Sequence, residues 1–368
     1  MKILILTNYA NGLYLFRREL LESFMADGHE VIVSVPPDEN VAKLKNLGVS
    51  IVETAFNRHG MNPAKDFALM MAYKKLIKEI KPGFVLTYTI KPNLYGGMAA
   101  RLTRTPYICN ITGLGMAIEN GGIMSKALIA FYKTATAGAR KVFFQNERNK
   151  KFMQDRGVAK KNAGLLPGSG VNLTAHPFHE YSSEAEGIHF LAVIRIMRDK
   201  GIAEYLEAAR NITAEYKNVY FDLVGEYEED EREVYEPLIK EMEDKGIITY
   251  HGHLDNVEPV MAESHVIVHP SYHEGMSNVL LEAAACGRPI LCSDIHGCIE
   301  AIEPDKSGFT FEIKNTKSLE DAIRKMLSLS EEDRAKMGKL GREHIEKHFD
   351  RQLVIDAYKK ELENVHQS

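Results

Sequence analysis

The sequence lacks the features that would place it in several other protein classes. It has four cysteines among 368 residues, and Cys109, Cys286, Cys292 and Cys298 form no C-x-x-C pair. Buried thiols in a reducing compartment are therefore expected, rather than a disulfide framework or a metal site. No run of about 18 apolar residues indicates a membrane-spanning helix. The first residues also lack the pattern of a signal peptide, so a cytoplasmic protein is expected.

Charge and nucleotide motifs exclude further classes. The net charge of −5 argues against a general nucleic-acid-binding protein, which would carry a basic surface. The absence of G-x-G-x-x-G counts against an ordinary NAD-binding domain. With 45% apolar and 26% charged residues, the chain has the composition of a globular protein, and its length favours two domains.

Short apolar, β-rich runs alternate with helical patterns along most of the chain. "KILILT" (2–7), "EVIVSV" (30–35) and "FVLTY" (84–88) are typical of strands buried on both faces. Such alternation predicts an α/β protein with parallel sheets covered by helices. The pattern lapses in the polar segment 172–187 and then restarts with "IHFLAVIR". We therefore predict a first domain over 1–171, a linker over 172–187 and a second doubly wound domain from 188.

Ligands of such sheets bind beyond the carboxyl ends of the strands, so the loops after the strands are the candidate sites. In "RIMRDKG", Arg195, Arg198 and Lys200 follow the first strand of the second domain. The cluster is either a solvated loop or a diphosphate site, because guanidinium groups bind phosphate oxygens in bidentate fashion.

Three glycines follow other strands. Gly12 lies before the first helix, where free N–H groups suit an anion, although a tight turn capped by Asn11 or Gly12 explains the residue equally well. Gly225 and Gly252 would let a flat ring approach the backbone. The acidic run 228–233 is interpreted as a solvated helix start, and His251 and His253 do not form a convincing metal pair.

Two glutamates lie eight positions apart in "EGMSNVLLEAAACG", in a turn and in the helix that follows. The N–H groups of Gly275, Met276 and Ser277 are expected at the start of this helix, before Asn278. Glu274 and Glu282 can accept hydrogen bonds from the hydroxyls of a sugar and from a second diol. An ion pair between Glu282 and Arg288 is the competing interpretation.

These residues resemble retaining glycosyltransferases of family 4. "EGMSNVLLEAAACGRPI" is similar to that family's E-x7-E signature, and "VIRIMRDKG" to its arginine–lysine–glycine segment. "MADGHEVIVSVP" and "PSYHEG" resemble two further conserved junctions of the family. The likeness covers nearly the whole chain and is nearest to bacterial enzymes that extend polyprenyl-diphosphate-linked glycans or capsular polysaccharides.

The resemblance implies the GT-B fold, in which two Rossmann-like domains face each other across a cleft. It implies a second domain over 188–348 and a terminal helix, 349–368, that crosses back to the first domain. By position, Glu274 would hold the donor sugar, Glu282 the ribose, and Arg195 and Lys200 the diphosphate. Gly12, Gly225, Gly252 and the 275–278 segment would complete donor binding, with a UDP-sugar as the donor substrate and no cofactor or metal.

The sequence departs from the family at two places. Ile194 stands where a glycine usually precedes the arginine. Thr112 stands where many members have a histidine near the reacting centre, which leaves the catalytic contribution of the first domain open. The acceptor-side candidates that remain there are Lys91, Asn93, Asn110 and Thr112, with Lys91 either facing the cleft or lying on the surface.

The expected reaction is transfer of a hexose or N-acetylhexosamine from a UDP-sugar to a lipid-linked or polysaccharide glycan, with retention of configuration. The helices over "NPAKDFALMMAYKKLIKEIK" and "GGIMSKALIAFYKTATAGARK" combine apolar and basic residues. They are consistent with contact to an anionic inner leaflet or with a core-facing stripe that has a solvated basic edge. Two other functions are compatible with the same residues: a sugar-nucleotide epimerase and a non-catalytic sugar-nucleotide-binding protein.

Overall fold

The computed structural model describes residues 1–56, 62–115, 118 and 121–366. The chain divides into two compact units, one of residues 1–169 with 352–368 and the other of residues 170–351. The segment 172–187 contains no helix or strand and belongs to the second unit.

The first unit contains a parallel sheet in the order β3-β2-β1-β4-β5-β6-β7. Its strands are β1 (Lys2–Leu6), β2 (Glu30–Val35), β3 (Ser50–Glu53), β4 (Phe84–Tyr88), β5 (Tyr107–Ile111), β6 (Lys141–Phe144) and β7 (Ala163–Leu165). Its first helices are α1 (Ala10–Ala26), α2 (Val41–Asn46), α3 (Pro63–Ile80), α4 (Gly97–Thr103), α5 (Gly122–Thr136) and α6 (Glu147–Asp155), with a π-helical turn at Pro92–Gly96 before α4.

Both faces of this sheet are apolar and are buried beneath helices. In β1, Leu4 and Leu6 contribute to the core beneath α3, α4 and α5, whereas Ile3 and Ile5 contribute to the core beneath α1 and α2. Alternate residues of a strand point to opposite faces, so a continuous apolar run is what a sheet covered on both sides requires.

The second unit repeats the arrangement with a parallel sheet in the order β10-β9-β8-β11-β12-β13. Its strands are β8 (Ile188–Val193), β9 (Val219–Val224), β10 (Thr249–Tyr250), β11 (Val266–His269), β12 (Ile290–Ser293) and β13 (Gly308–Phe311). Its helices are α7 (Ile202–Glu215), α8 (Arg232–Asp244), α9 (Glu258–Glu263), α10 (Asn278–Ala285), α11 (Thr316–Leu327) and α12 (Glu331–His348).

The last helix, α13 (Arg351–His366), packs on the first unit. Val354, Ile355, Tyr358 and Leu362 are buried in the core that α1 and α2 cover. The Tyr358 hydroxyl donates a hydrogen bond of 2.5 Å to Oδ1 of Asn110, at the end of β5.

The predicted α/β alternation is confirmed, since the strands and helices inferred from the sequence are present. Three elements were not predicted: α2, β13 and α11. The strand order of the second sheet reverses between β8 and β11, which is where ligands bind in open parallel sheets. Among the described residues, no helix is both long enough and apolar enough to cross a bilayer.

Candidate active site

Two loops lie side by side where β8 and β11 end, at the reversal of strand order. The N–H of Tyr272, after β11, donates to the carbonyl of Asp199, after β8, at 2.9 Å. Gly201 has a φ of +72°, and a Cβ there would lie 2.1 Å from the carbonyl oxygen of Pro270. A glycine is therefore required where the two loops touch, and this contact brings the basic loop to the turn that carries Glu274.

The carboxylate of Glu274 is the centre of the group that these loops form. Lys200 Nζ lies 2.5 Å from its Oε1, and Nε2 of His269 lies 3.0 Å from the same oxygen. Burial on its own would raise the pKa of Glu274, but the hydrogen bond from His269 and the charge of Lys200 more than offset it and lower the pKa to about 2. Glu274 is therefore ionised at neutral pH although it is largely buried.

His269 and Gly297 are two members of this site that sequence reasoning missed. A carboxylate only accepts hydrogen bonds, so His269 donates to Glu274 through Nε2, which also lies 3.2 Å from Ser277 Oγ. Gly297 has a φ of +92°, and a Cβ there would lie 2.8 Å from the carbonyl oxygen of Glu274. The signal available for His269 was a polar residue ending the buried strand "VIVH".

The N–H groups in the turn before α10 were predicted to face a ligand, and this is wrong for one of them. Ser277 caps the helix, and its side chain accepts a hydrogen bond from the N–H of Leu280. The backbone N–H of Ser277 donates to the carbonyl of Gly297 at 2.8 Å, so this N–H is used inside the protein and does not face a ligand. Met276 buries its side chain in the core beneath α10, and Gly275 connects it to Glu274.

Asn278 and Glu282 lie one turn apart on the same face of α10. Oδ1 of Asn278 is buried without a hydrogen-bond partner. Burial raises the pKa of Glu282 to about 7, against the weaker lowering effect of the Arg351 charge. In the described part of the chain, the Glu282 carboxylate makes no hydrogen bond or ion pair, and Arg351 affects it only through its charge. This face of α10 therefore carries two acceptor groups that a ligand can satisfy.

The competing interpretation, an ion pair between Glu282 and Arg288, is wrong. The Arg288 side chain is fully buried and donates to backbone carbonyls, including those of His179, Glu180 and Ser264. Its charge is thus used to hold the 172–187 segment against the rest of the second unit.

The basic loop after β8 faces the acidic run 228–233. Arg195 Nη1 lies 2.7 Å from Glu228 Oε2, and 62% of the Arg195 side chain is exposed. The N–H of Arg198 donates to Glu231 at 2.7 Å. The acidic run was interpreted as a solvated helix start only, but it also orders the basic loop. An exposed ion pair of this kind contributes little free energy, so Arg195 can exchange Glu228 for a phosphate.

Gly225 is required for a reason that the sequence did not predict. Gly225 has a φ of +153°, and a Cβ there would lie 1.8 Å from the carbonyl oxygen of Ile194. The close approach at Gly225 is therefore made by the chain after β8 and needs no ligand. Gly252, with a φ of +69°, has open space beside its Cα and accepts a hydrogen bond from the N–H of Gly225.

Most of the chain matches two families of glycosyl transferases. Residues 178–344 match the family described as glycosyl transferases group 1, and residues 2–146 match the family described as glycosyl transferase 4-like. The chain therefore contains a glycosyl transferase 4-like domain followed by a glycosyl transferase group 1 domain. The sites described above for the second unit therefore lie within the group 1 domain of this glycosyltransferase.

Similar proteins come from bacterial glycan synthesis. The glycosyltransferase is 28% identical to the N,N'-diacetylbacillosaminyl-diphospho-undecaprenol alpha-1,3-N-acetylgalactosaminyltransferase of Campylobacter jejuni, with 89% of each chain covered. It is 25% identical to the capsular polysaccharide biosynthesis glycosyltransferase CapM of Staphylococcus aureus, with 84% of each chain covered. The crystal structure of Anabaena Alr3699/HepE in complex with UDP aligns at a TM-score of 0.83 and 16% identity, over 99% of this chain and 100% of that one. This likeness confirms the GT-B fold.

In the first unit, Gly12 is not placed as predicted. The first helix begins at Ala10 and Tyr9 is its N-cap, so Gly12 lies within the first turn rather than before it. The N–H of Ala10 donates to Oδ2 of Asp38 at 3.3 Å. A carboxylate of the glycosyltransferase therefore already lies at the helix N-terminus, where we expected an anionic ligand.

The acceptor-side candidates differ in what their side chains do. Lys91 Nζ pairs with Asp66 at 3.0 Å, with both side chains largely buried. Asn93 accepts from the Thr87 hydroxyl and donates to the Asn110 carbonyl. The amide of Asn110 donates to the Thr87 carbonyl and accepts from Tyr358.

Asn93 and Asn110 are 1% and 2% exposed, so these amides join strand ends inside the glycosyltransferase. Their internal bonds argue against direct acceptor contact, which corrects the prediction for both residues. Thr112 is partly exposed directly after β5 and keeps its place among the acceptor-side candidates.

Among the described residues, one group of three side chains has metal-binding atoms within 4.8 Å of one another. It consists of His179, Glu258 and Cys286, and the His179 Nε2 is hydrogen-bonded to the Glu258 carboxylate. Neither Glu274 nor Glu282 belongs to it, so the group is separate from the candidate donor site of the glycosyltransferase.

Proposed function

We propose that this glycosyltransferase moves a hexose or N-acetylhexosamine from a UDP-sugar to a polyprenyl-diphosphate-linked or polysaccharide glycan, with retention of configuration and without a metal ion. It would act on the cytoplasmic side of a membrane, as a protein attached peripherally to the inner leaflet. One observation carries this proposal. Glu274 is ionised beside Lys200, and on the helix that follows the side-chain oxygens of Glu282 and Asn278 lack hydrogen-bond partners among the described residues.

The ribose, the diphosphate and the sugar of a nucleotide-sugar each have a matching group in this arrangement. A vicinal diol donates two hydrogen bonds, and the partly buried Glu282 carboxylate lacks such donors in the described part of the chain. Lys200 and Arg195 provide cations for the diphosphate on the adjacent loop. Glu274, kept ionised by His269 and Lys200, is an acceptor for sugar hydroxyls.

The catalytic contribution that we propose is electrostatic. When the bond between the sugar and the diphosphate breaks, negative charge increases on the leaving β-phosphate. Cations that are already in place stabilise this charge more in the transition state than in the ground state. Lys200 is the stronger candidate, because its side chain is only 18% exposed and is fixed by the loop contact at Gly201. We assign no nucleophilic side chain.

The acceptor and the stereochemistry are proposed from the relatives. The Campylobacter jejuni protein is named for an undecaprenyl-diphosphate-linked acceptor and an α-1,3 linkage, and the Staphylococcus aureus protein for capsular polysaccharide. An α-linked product from an α-linked donor corresponds to retention. The Anabaena structure that shares this fold contains UDP, which supports a uridine donor here.

A mass-spectrometric screen tests the proposal. Purified protein would be incubated with individual UDP-sugars and short polyprenyl-diphosphate glycans in the presence of EDTA. The proposal predicts an acceptor that gains one hexose or N-acetylhexosamine residue together with release of UDP. Conversion of the UDP-sugar to an epimer without acceptor, or donor binding without any transfer across the acceptor panel, would contradict it.

A further inference from the structure

A basic cavity of about 570 Å³ opens on the outer surface of the first unit, between α5 and the end of α6. Four cationic side chains line it: Lys126 and Lys133 from α5, and Arg156 and Lys160 from the chain after α6. Asp155 is the one acidic lining residue, and it is paired with Lys151 at 3.2 Å. The cavity therefore carries a clear excess of positive charge.

Two of these cations are held in place by neighbouring groups. The Arg156 guanidinium stacks on the Phe152 ring, 3.5 Å from its centroid, and donates to the Phe152 carbonyl at 3.1 Å. A Cβ built on Gly157 would lie 3.1 Å from Cε of Lys133, so the stem of this lysine lies against the glycine. In the described part of the chain, neither Lys126, Lys133 nor Lys160 has an acidic group within 4 Å.

Exposed apolar side chains continue the same surface of α5. Ile123 is 89% exposed, Met124 49% and Phe131 40%. Met124 and Phe131 are seven residues apart, as are Lys126 and Lys133, so each pair forms one edge of the exposed helix face. The two edges lie on opposite sides of the exposed face, with Ile123 between them. A helix with an apolar side and a basic side is typical of one that lies in the headgroup region of a bilayer.

We infer that this cavity binds the phosphate headgroup of an anionic phospholipid, while Ile123, Met124 and Phe131 enter the adjoining acyl boundary. The inference rests on the proposed function, because it specifies how the enzyme reaches a lipid-linked acceptor. It names one face, formed by α5 and residues 156–160, as the membrane contact.

The apolar edge favours a lipid over a free phosphate ion, because a soluble anion needs no exposed Ile123 or Phe131 on the same helix. The face of α3 is a weaker candidate for the membrane contact. It exposes Phe67 and Met71, but unlike α5 it carries acidic residues of its own, including Glu79, which pairs with Lys75 at 3.7 Å. The α5 cations have no such acidic neighbours and are available to lipid phosphates.

Flotation with vesicles tests the inference on the full chain. The protein would be mixed at low salt with vesicles of phosphatidylcholine alone or with phosphatidylglycerol added. A Lys126→Gln/Lys133→Gln variant is compared with Lys43→Gln/Lys45→Gln, which removes the same charge from exposed residues of α2 on the opposite face of the sheet.

We expect binding that requires phosphatidylglycerol and falls roughly 20- to 30-fold in the α5 variant, since each lysine near an anionic surface contributes about 1 kcal/mol. The α2 variant should change vesicle binding by less than about 3-fold, because its lysines face away from the membrane when α5 faces it. Failure of the wild type to bind, or equal losses in the two variants, would overturn the inference. Binding of inorganic phosphate to the cavity, measured by NMR, together with no binding of the protein to vesicles, would also overturn it.

The same variants separate this inference from the proposed function. With an acceptor embedded in phosphatidylglycerol vesicles, the α5 variant should transfer sugar more slowly than the wild type. With a short, water-soluble diphosphate acceptor, both should be equally active. If the wild type transferred sugar to neither acceptor, the proposed function would be contradicted. Flotation would still show whether the α5 face binds vesicles.

Discussion

Lys200 and Glu274, 74 residues apart in the sequence, form an ion pair of 2.5 Å between the loops that follow β8 and β11. In the free protein this pair compensates both charges at the candidate donor site. A bound nucleotide-sugar would have to draw Lys200 towards its phosphates and offer a hydroxyl to Glu274. We therefore expect the nucleotide-sugar to bind by replacing the contact between Lys200 and Glu274, and not by entering a site whose charges are unpaired.

The two cations of the basic loop should differ in their contribution to catalysis. Lys200→Gln should lower kcat by about 100- to 1000-fold, as is typical when one well-placed electrostatic group is lost. Arg195→Gln should lower it by less than about 10-fold, since Arg195 is exposed and pairs with Glu228 in solvent. Initial rates at saturating UDP-sugar measure both, with thermal unfolding as the control for folding. A larger effect at Arg195 would contradict this ranking.

Glu282 should make stability depend on pH. Its pKa is raised from 4.5 to about 7, so below about pH 4.5 the carboxyl is neutral in both the folded and the unfolded protein and has no effect. As the pH rises from about 4.5 to about 7, the wild type loses stability because the carboxyl ionises first in the unfolded state, and above about pH 7 this loss is complete. Glu282→Gln should then be the more stable protein at pH 8, by at most about 3 kcal/mol.

Urea unfolding of both proteins between pH 5 and 8 checks this expectation, and Glu233→Gln on the exposed surface of α8 controls for the loss of one charge. A constant difference between wild type and Glu282→Gln across that range would show that Glu282 does not titrate there.

UDP binding should release protons if the ribose hydroxyls donate to Glu282. Hydroxyl donors stabilise the carboxylate, so they should lower the raised pKa. Near pH 6, the wild type should release up to about one proton more than Glu282→Gln when UDP binds. Calorimetry in buffers with different ionisation enthalpies measures this difference, and the variant corrects for protonation of the nucleotide. Equal proton release by the two proteins would exclude the ribose contact.

Gly297 should be needed for activity because of its contact with the Glu274 turn, and not only because of its backbone conformation. Gly297→Ala places a Cβ 2.8 Å from the Glu274 carbonyl oxygen at a φ of +92°, which should displace the Glu274 turn. Gly246→Ala is the matched control, because Gly246 has a φ of +64° with nothing within 4 Å of a Cβ. Both variants should lose roughly 1–3 kcal/mol of stability. Only Gly297→Ala should lose most of its transfer activity, and similar activities in the two variants would contradict the role of this contact.

The sequence predicted the fold well because both sheets are parallel and buried. Continuous apolar strands such as "KILIL" are required wherever helices cover both faces, so their pattern is unambiguous. The six-residue helix α2 was missed because it is too short to establish a period. Helix α11 was missed although Leu319, Ile323 and Met326 recur at helical spacing and are buried.

The candidate site was predictable only where neighbouring strands end. The rule that loops after strands meet at one edge places Lys200 near Glu274 without any structure. The roles of His269 and Gly297 depend on the packing of one loop against another, for which the sequence has no period. The position of Arg288 was also beyond prediction, since its carbonyl partners lie in the aperiodic 172–187 segment.

Sugar transfer by Glu274→Gln decides whether Glu274 holds the donor sugar in the second unit. Mass spectrometry would follow sugar transfer from a UDP-sugar to a polyprenyl-diphosphate glycan, while calorimetry measures UDP affinity. We expect a loss of transfer of at least about 100-fold with UDP affinity largely retained, because we assign Glu274 to the sugar and not to the nucleotide. Transfer at the wild-type rate by Glu274→Gln would contradict it.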